Sequence, residues 1–152
     1  MGKIVSIVYT PDGKDYVRPE DRYARTPIET ANLVAGRGID GDRKGAKYKD
    51  RQINLMANEI VKQLAAEGFK AGPGELGEQI VIEGVDVGSL KPGNRVRLGK
   101  TAILEVDKAR TGCDRFEHIQ GQKKSRVQGR LGQMMRVIAD GSIRVGDRAV
   151  IE

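Results

Sequence analysis

Gln79-Ile80-Val81-Ile82-Glu83, Arg95-Val96-Arg97-Leu98 and Ala102-Ile103-Leu104-Glu105-Val106-Asp107 are three short apolar runs lying within thirty positions. Gly84, Gly88, Pro92-Gly93 and Gly99 punctuate them. Runs this short, bounded by glycine, read as strands and not as helices. Working outward, Lys3–Tyr9 alternates like a strand, Pro11-Asp12-Gly13 is a turn, and Asp15–Thr26 is a charged surface excursion. Ile28–Ala35 and Arg51–Met56 are further strands, with the polar loop Gly36–Asp50 between them. Leu131–Val137 fits a short helix or a strand, and Ile143–Val145 with Arg148–Ile151 reads as a closing hairpin. One segment has a helical period: Asn58 as cap, Ile60, Val61, Leu64 and Ala65 on one face, and Gly68 as stop. Many short strands with one clear helix predict a mainly β protein, a compact β-barrel with a few short helices. A faint internal echo pairs Pro92–Leu98 with Val145–Ile151, and two similar hairpin turns explain it.

The chain has 152 residues, which predicts one domain over 1–152. Its 20 glycines are about twice the usual share, and they sit beside the apolar runs as turn residues. The net charge of +6 points to an anionic partner. Tryptophan is absent and aromatics are few, which makes stacking on nucleic-acid bases unexpected. The first residues enter a strand pattern directly, so no signal peptide is expected. No apolar run approaches the roughly 20 residues of a membrane span, and a soluble, reducing, cytoplasmic setting is expected.

Four groups of residues carry possible chemistry. Cys113 is the only cysteine and His118 the only histidine, which excludes an internal disulfide and a multi-thiolate zinc site. Arg110 and Arg115 flank Cys113 and favour its thiolate, so the residue is either a reactive sulfur or a packed apolar one. A Cys113–His118 pair would be an activated nucleophile, although no third orienting group is visible. The loop Gly36-Arg37-Gly38-Ile39-Asp40-Gly41-Asp42-Arg43-Lys44-Gly45, followed by Arg51-Gln52, holds six cations and three aspartates from Arg37 to Arg51. Its spacing matches neither a P-loop, a dinucleotide fingerprint nor a calcium loop. An anion-binding loop and an ordinary solvated turn both remain open. Gly72-Pro73-Gly74-Glu75-Leu76-Gly77-Glu78-Gln79 either presents Glu78 and Gln79 to a polar heterocycle or forms a structural corner. Finally, Ile119–Ala139 carries Lys123, Lys124, Arg126, Arg130 and Arg136 with no acidic residue: a solvated basic face, a phosphate clamp or a nucleic-acid patch.

In this order the segments resemble the MOSC domain, the module named for the C-terminal part of molybdenum-cofactor sulfurases. The resemblance rests on Gly38–Arg43, Arg51–Met56, Gly74–Ile80, Leu90-x-x-Gly93, Cys113 and Asp140-Gly141-Ser142-Ile143-x-x-Gly146-Asp147. It implies a MOSC or pyruvate-kinase-type β-barrel that binds the molybdenum cofactor, a phosphorylated pterin with a dithiolene-bound metal. It implies that Cys113 ligates molybdenum or carries sulfur. Arg37, Asp40, Asp42, Arg43, Lys44, Arg51, Gln52 and Arg110 would lie toward the cofactor, with Glu78 and Gln79 toward pterin or substrate. The implied activity is reduction of N-hydroxylated compounds, or sulfur transfer to or from the cofactor, with an external electron or sulfur donor protein. A carrier of cofactor or persulfide without turnover is the alternative, and an RNA-binding barrel a more remote one. The chain departs from the family pattern at Lys44, where His is common, at Gln79, where Asn is common, and at Gly112, where Pro is frequent.

Overall fold

The computed structural model describes residues 2–13, 16–43 and 52–152. Its main sheet is built from β1 (Gly2–Tyr9), β5 (Ile53–Ala57), β6 (Ile80–Glu83), β7 (Arg95–Leu98), β8 (Ala102–Ala109), β9 (Gln133–Ala139) and β11 (Arg148–Ile151). These run in the order β11-β7-β8-β9-β5-β6-β1, and β1 pairs back to β11 through Gly2↔Ala149 and Lys3↔Arg148. Seven strands therefore close a barrel, which removes both sheet edges. The short β2 (Thr26–Pro27) extends β1 on the outside. β3 (Thr30–Val34), β4 (Gly38–Ile39) and β10 (Gly141–Arg144) form a separate three-stranded sheet.

The barrel is mainly β, as its sequence predicts, and its interior follows from alternation. Val96 and Leu98 on β7, and Ala102, Leu104 and Val106 on β8, are buried while their neighbours are not. They join Ile4, Ile7, Leu55, Ile80, Ile82 and Val137 in one core. β5 differs, because all five of its residues are buried. Ile53, Leu55 and Ala57 face the barrel core, whereas Met56 belongs to a second cluster with Leu64, Phe69, Leu76, Phe116, Val127 and Leu131. This outer cluster packs α1 (Asn58–Ala66) and α2 (Asp114–Gln120) over the barrel wall, so β5 is covered on both faces.

β5 and β6 are parallel, with Leu55 opposite Ile80. Parallel neighbours need a crossover, and α1 with the following loop supplies it. That loop ends at β6 and reappears below as part of the site.

Several sequence expectations change. Residue 57 caps α1 and no side chain bonds its N-terminus, so Asn58 is the first helical residue and not its cap. Ala65 lies on the exposed side of the helix. Leu131–Val137 resolves as a strand, because Gln133–Met135 pairs with β5 and its outer residues are needed to extend the barrel. The expected closing hairpin does not form: β10 pairs with β3, while β11 pairs with β7 and β1. The echo of β7 and β11 is a shared turn. Asn94 Oδ1 accepts from the Lys91 N–H, and Asp147 Oδ2 from the Arg144 N–H, each at 2.9 Å. The two echoing strands are barrel neighbours.

At Gly132 the chain must pass close to β5. Its φ is +73°, and a Cβ there would sit 2.0 Å from the Leu55 carbonyl oxygen. Gly129 has φ +74° with nothing within 4 Å, so it isolates the conformational cost from the collision. Gly129→Ala is expected to lose about 1 kcal/mol of unfolding free energy. Gly132→Ala is expected to lose at least about 2 kcal/mol more, as overpacking does. Urea denaturation of both variants measures the difference, and equal losses would refute the close packing of β9 on β5.

Candidate functional site

Outside the barrel, between β5, the end of β8 and the excursion over residues 16–26, lies a cavity of about 810 Å³. Its wall includes Thr10, Asn54, Arg110 and Cys113, with Arg43 and Lys108 on one side and Arg18, Tyr23, Arg25 and Arg115 on the other. Six of its lining side chains are cations and, among the described residues, none is a carboxylate.

Each side chain is placed by the strands that carry it. Asn54 lies on the outer face of β5 by alternation. β8 shifts register against β9 between Val106 and Lys108, an irregularity that re-aims the chain as it leaves the sheet toward Arg110. Arg110 is buried, its N–H donates to the Gly132 carbonyl at 3.0 Å, and its guanidinium donates to the Leu76 carbonyl at 2.7 Å. The end of the glycine loop is stitched to the chain after β1. The Arg43 N–H donates to Thr10 O at 2.9 Å, and the Thr10 N–H donates to Asp42 Oδ1 at 2.9 Å. The Arg43 guanidinium then lies 4.3 Å over the Tyr16 ring.

Beneath the lining are two carboxylates. Asp42 is fully buried. Glu78, also buried, accepts the Gly74 N–H at 2.8 Å and the Leu76 N–H at 3.2 Å. Burial pushes the Glu78 carboxyl up, against the Gly74 N–H and the Arg110 charge. Burial likewise lowers Arg110 and Arg25, with Tyr23 and Asp42 respectively the strongest opposing influences. Burial raises the Tyr23 phenol, while Arg110 pulls it down.

Cys113 is a free, exposed thiol immediately before α2. Of the residues singled out in the sequence, Cys113, Arg43 and Arg110 line this one cavity. Arg37 and Asp40 lie away from its wall and face each other at 4.0 Å. Gln52, Glu78 and Gln79 are buried among backbone partners: Gln52 Oε1 accepts the Val137 N–H at 2.8 Å and Gln79 Oε1 the Asn54 N–H at 2.7 Å. Lys44 and Arg51 fall outside the described residues. His118 is exposed on α2 and lines neither this cavity nor its neighbour, whereas Cys113, in extended backbone just before the helix, lines this one. Gly112 permits a close approach, since a Cβ there would lie 2.9 Å from Lys124 Cβ.

Two groupings differ from their sequence reading. The excursion over residues 16–26 is part of the site: Tyr16, Arg18, Tyr23, Ala24 and Arg25 all line the cavity. Its charges and lone apolar residues carry no periodic signal, and only the placing of two of the four tyrosines, Tyr16 and Tyr23, among arginines hints at it. The basic strip over Ile119–Ala139 is largely neutralised by acids from elsewhere. Lys124 pairs with Asp114 at 2.7 Å, Arg126 and Arg130 with Glu67, and Arg136 with Glu105 at 2.7 Å and Asp107 at 3.1 Å. This pairing lowers the net charge that the strip presents to a polyanion.

An exposed thiol titrates without unfolding. One equivalent of Ellman's reagent is expected to react with the native protein, and a thiol that reacts only in denaturant would contradict the placement of Cys113. Saturating phenyl phosphate is expected to slow that reaction, because a ligand seated in the cavity stands in the reagent's path.

The family model described as the MOSC domain matches residues 38–150. A search of curated protein sequences gives no match. Among solved structures, the YuaD protein of Bacillus subtilis is 21% identical, with a TM-score of 0.75 over 99% of this chain and 96% of that one. YiiM of Geobacillus stearothermophilus is 20% identical, with a TM-score of 0.72 over 100% of this chain and 75% of its own. YiiM of Escherichia coli is 19% identical, with a TM-score of 0.69 over 99% and 69%. At such identities the likeness is one of fold. With the family model covering β4 through most of β11, the chain belongs to the MOSC domain family.

Proposed function

We propose that this MOSC protein binds a molybdenum–pterin cofactor in the cationic cavity and acts in reduction of N-hydroxylated compounds or in sulfur transfer to or from the cofactor. The observation that carries the reading is an exposed lone thiol opening on a cavity lined by cations and free of carboxylates among the described residues.

The residues present fit such a group. A soft thiolate matches a sulfur-rich molybdenum centre. Arg43 and Arg110 offer guanidinium donors to a phosphate monoester, the geometry in which arginine excels. Asn54 reaches the cavity wall, and its buried Oδ1 has no hydrogen-bond partner among the described residues. An unpaired amide oxygen of this kind favours a polar heterocycle over an apolar one. When bound, the cofactor supplies the two-electron chemistry, fed by an external electron or sulfur donor protein. The chain's own part is binding and orientation. Arg43 and Arg110 hold the anion, Asn54 meets the ring, and Cys113 presents sulfur at the rim. Among the described residues no helix is long and apolar enough to cross a membrane, and a cytoplasmic setting suits the free thiol.

The test is reconstitution with the cofactor, followed by pterin and molybdenum analysis and an assay with N-hydroxylated substrates. Cys113→Ala is expected to abolish turnover while keeping the thermal midpoint within about 2 °C, since the site is exposed. Arg43→Glu is expected to lower pterin retention by about ten-fold or more. Full activity in Cys113→Ala would dismiss the ligand role. The exposure of Cys113 also favours a persulfide carrier, which a 32 Da mass increase on that residue, about the mass of one sulfur atom, without turnover would identify.

A further inference from the structure

The excursion over residues 16–26 is a partition. Thr10, Tyr16, Tyr23, Ala24 and Arg25 line both the Cys113 cavity and a neighbouring one of about 690 Å³. All lie before the residues matched by the family model. The family motifs therefore leave this wall unassigned.

Arg25 is held rigidly there. Its Nη1 donates to Thr10 Oγ1 at 2.9 Å and its Nη2 to the Gly77 carbonyl at 3.2 Å. The Thr10 hydroxyl in turn donates to the Ala24 carbonyl. Two of five guanidinium N–H directions are thereby used. Its Nε is shielded from water and has no hydrogen-bond partner among the described residues. Arg25 forms no salt bridge with a carboxylate among the described residues, while the buried Asp42 and Glu78 charges favour its charged form against burial. Arg18, exposed on the same wall, has no carboxylate partner among the described residues either. Several arginines elsewhere are matched: Arg95 and Arg136 with Glu105, Arg130 with Glu67, Arg97 with Glu152. Here five arginines, Arg18, Arg25, Arg43, Arg110 and Arg115, line one cavity with no carboxylate among the described lining residues, and together they focus an attractive field for anions.

The two walls meet at the corner, where Arg25 and Arg110 bond the neighbouring carbonyls of Gly77 and Leu76. Arg43 and Arg110 stand on the motif side, and a phosphate monoester brings about two negative charges to them. We infer that the strap forms a second anion-binding subsite, built from Arg18 and Arg25, which takes a carboxylate or a second phosphate beside the first anion. The inference rests on the reading that the motif side takes a phosphate monoester. The second anionic group belongs either to an acidic substrate or to a further phosphate on the same ligand.

Isothermal titration of the protein separates these cases. Phenyl phosphate is the probe for the first subsite, benzoate in saturating phenyl phosphate for the second, and ADP for a ligand spanning both. Benzoate is expected to bind one further equivalent, weakened about ten-fold or more by Arg18→Gln, the size expected for losing a charge-assisted contact. Phenyl phosphate is expected to change less than about two-fold in that variant and to weaken in Arg43→Gln. Arg25→Lys, which keeps the charge but loses the fixed fork, is expected to weaken benzoate as well. ADP sensitive to both Arg18→Gln and Arg43→Gln assigns the second group to a diphosphate; benzoate alone sensitive to Arg18→Gln assigns it to an acidic substrate. The subsite is refuted if benzoate fails to bind alongside phenyl phosphate and ADP binds wild type and Arg18→Gln equally. It is also refuted if benzoate binding is indifferent to both Arg18→Gln and Arg25→Lys. Failure of phenyl phosphate with benzoate still dependent on Arg18 overturns the cofactor reading and leaves the strap subsite standing.

Discussion

Glu78 sets the geometry on which the site depends. Its carboxylate is withdrawn from water and gathers the Gly74 and Leu76 amides. Those two bonds fix the corner that ends the parallel crossover. The same corner points its carbonyls outward: Leu76 O receives Arg110, while Gly77 O receives Arg25 and the Asn54 amide. A buried guanidinium is tolerable only when its N–H groups find acceptors. The corner therefore decides where two of the cavity's cations rest. A carboxylate without those amides would be expensive to bury, and the Arg110 charge close by offsets part of that cost. Glu78 thus acts through Arg25 and Arg110 as a positioning residue, although its place in a glycine-rich motif made it look like a ligand contact.

The charge of +6 takes on meaning only through its distribution. Ion pairs across the barrel surface, such as Lys3–Glu83 and Arg95–Glu105, contribute little to stability because water screens them. Their effect is to cancel charge locally. Glu105 is held low by Arg136 and Arg95, and Glu67 by Arg130 and Arg126, so both stay ionised well into acid conditions. Among the described residues the cavity lining carries no carboxylate, and Asp42 and Glu78 are buried beneath it.

The barrel was largely legible in the sequence because alternation is a direct image of a wall with one dry face. β7 and β8 show it plainly in Val96, Leu98, Leu104 and Val106. β5 is legible as a short strand, but its burial on both faces is not, because Asn54 interrupts its apolar run. What alternation cannot state is which strand pairs with which. The last two strands looked like a hairpin because they are adjacent in sequence, yet Ile143 serves the small sheet and Ala149 closes the barrel. In the site, Cys113, Arg43 and Arg110 stood out by residue type and motif. Gln52 and Gln79 stood out equally, but their amides replace missing backbone partners within the wall, a role that spacing does not distinguish from ligand binding. Arg25 and Tyr23 were read as surface because nothing local marks a turn-rich segment that folds back over a barrel.

The motif side is fixed by strand register: the shift in β8 and the corner at Glu78 leave Arg110 little freedom. The segment over residues 16–26 meets a strand only at its end, where Thr26 pairs with Tyr9, and bonds the corner through Arg25. It is anchored by side chains reaching backbone carbonyls, Arg115 to Pro19 O at 2.9 Å and Arg22 O at 3.0 Å, with Arg115 also 5.2 Å from the Tyr23 ring centre. Carbonyl acceptors are indifferent to the identity of the residue that bears them. Arg115 therefore ties the strap to the start of α2, two positions from Cys113, through acceptors that do not depend on the side chains of residues 19 and 22.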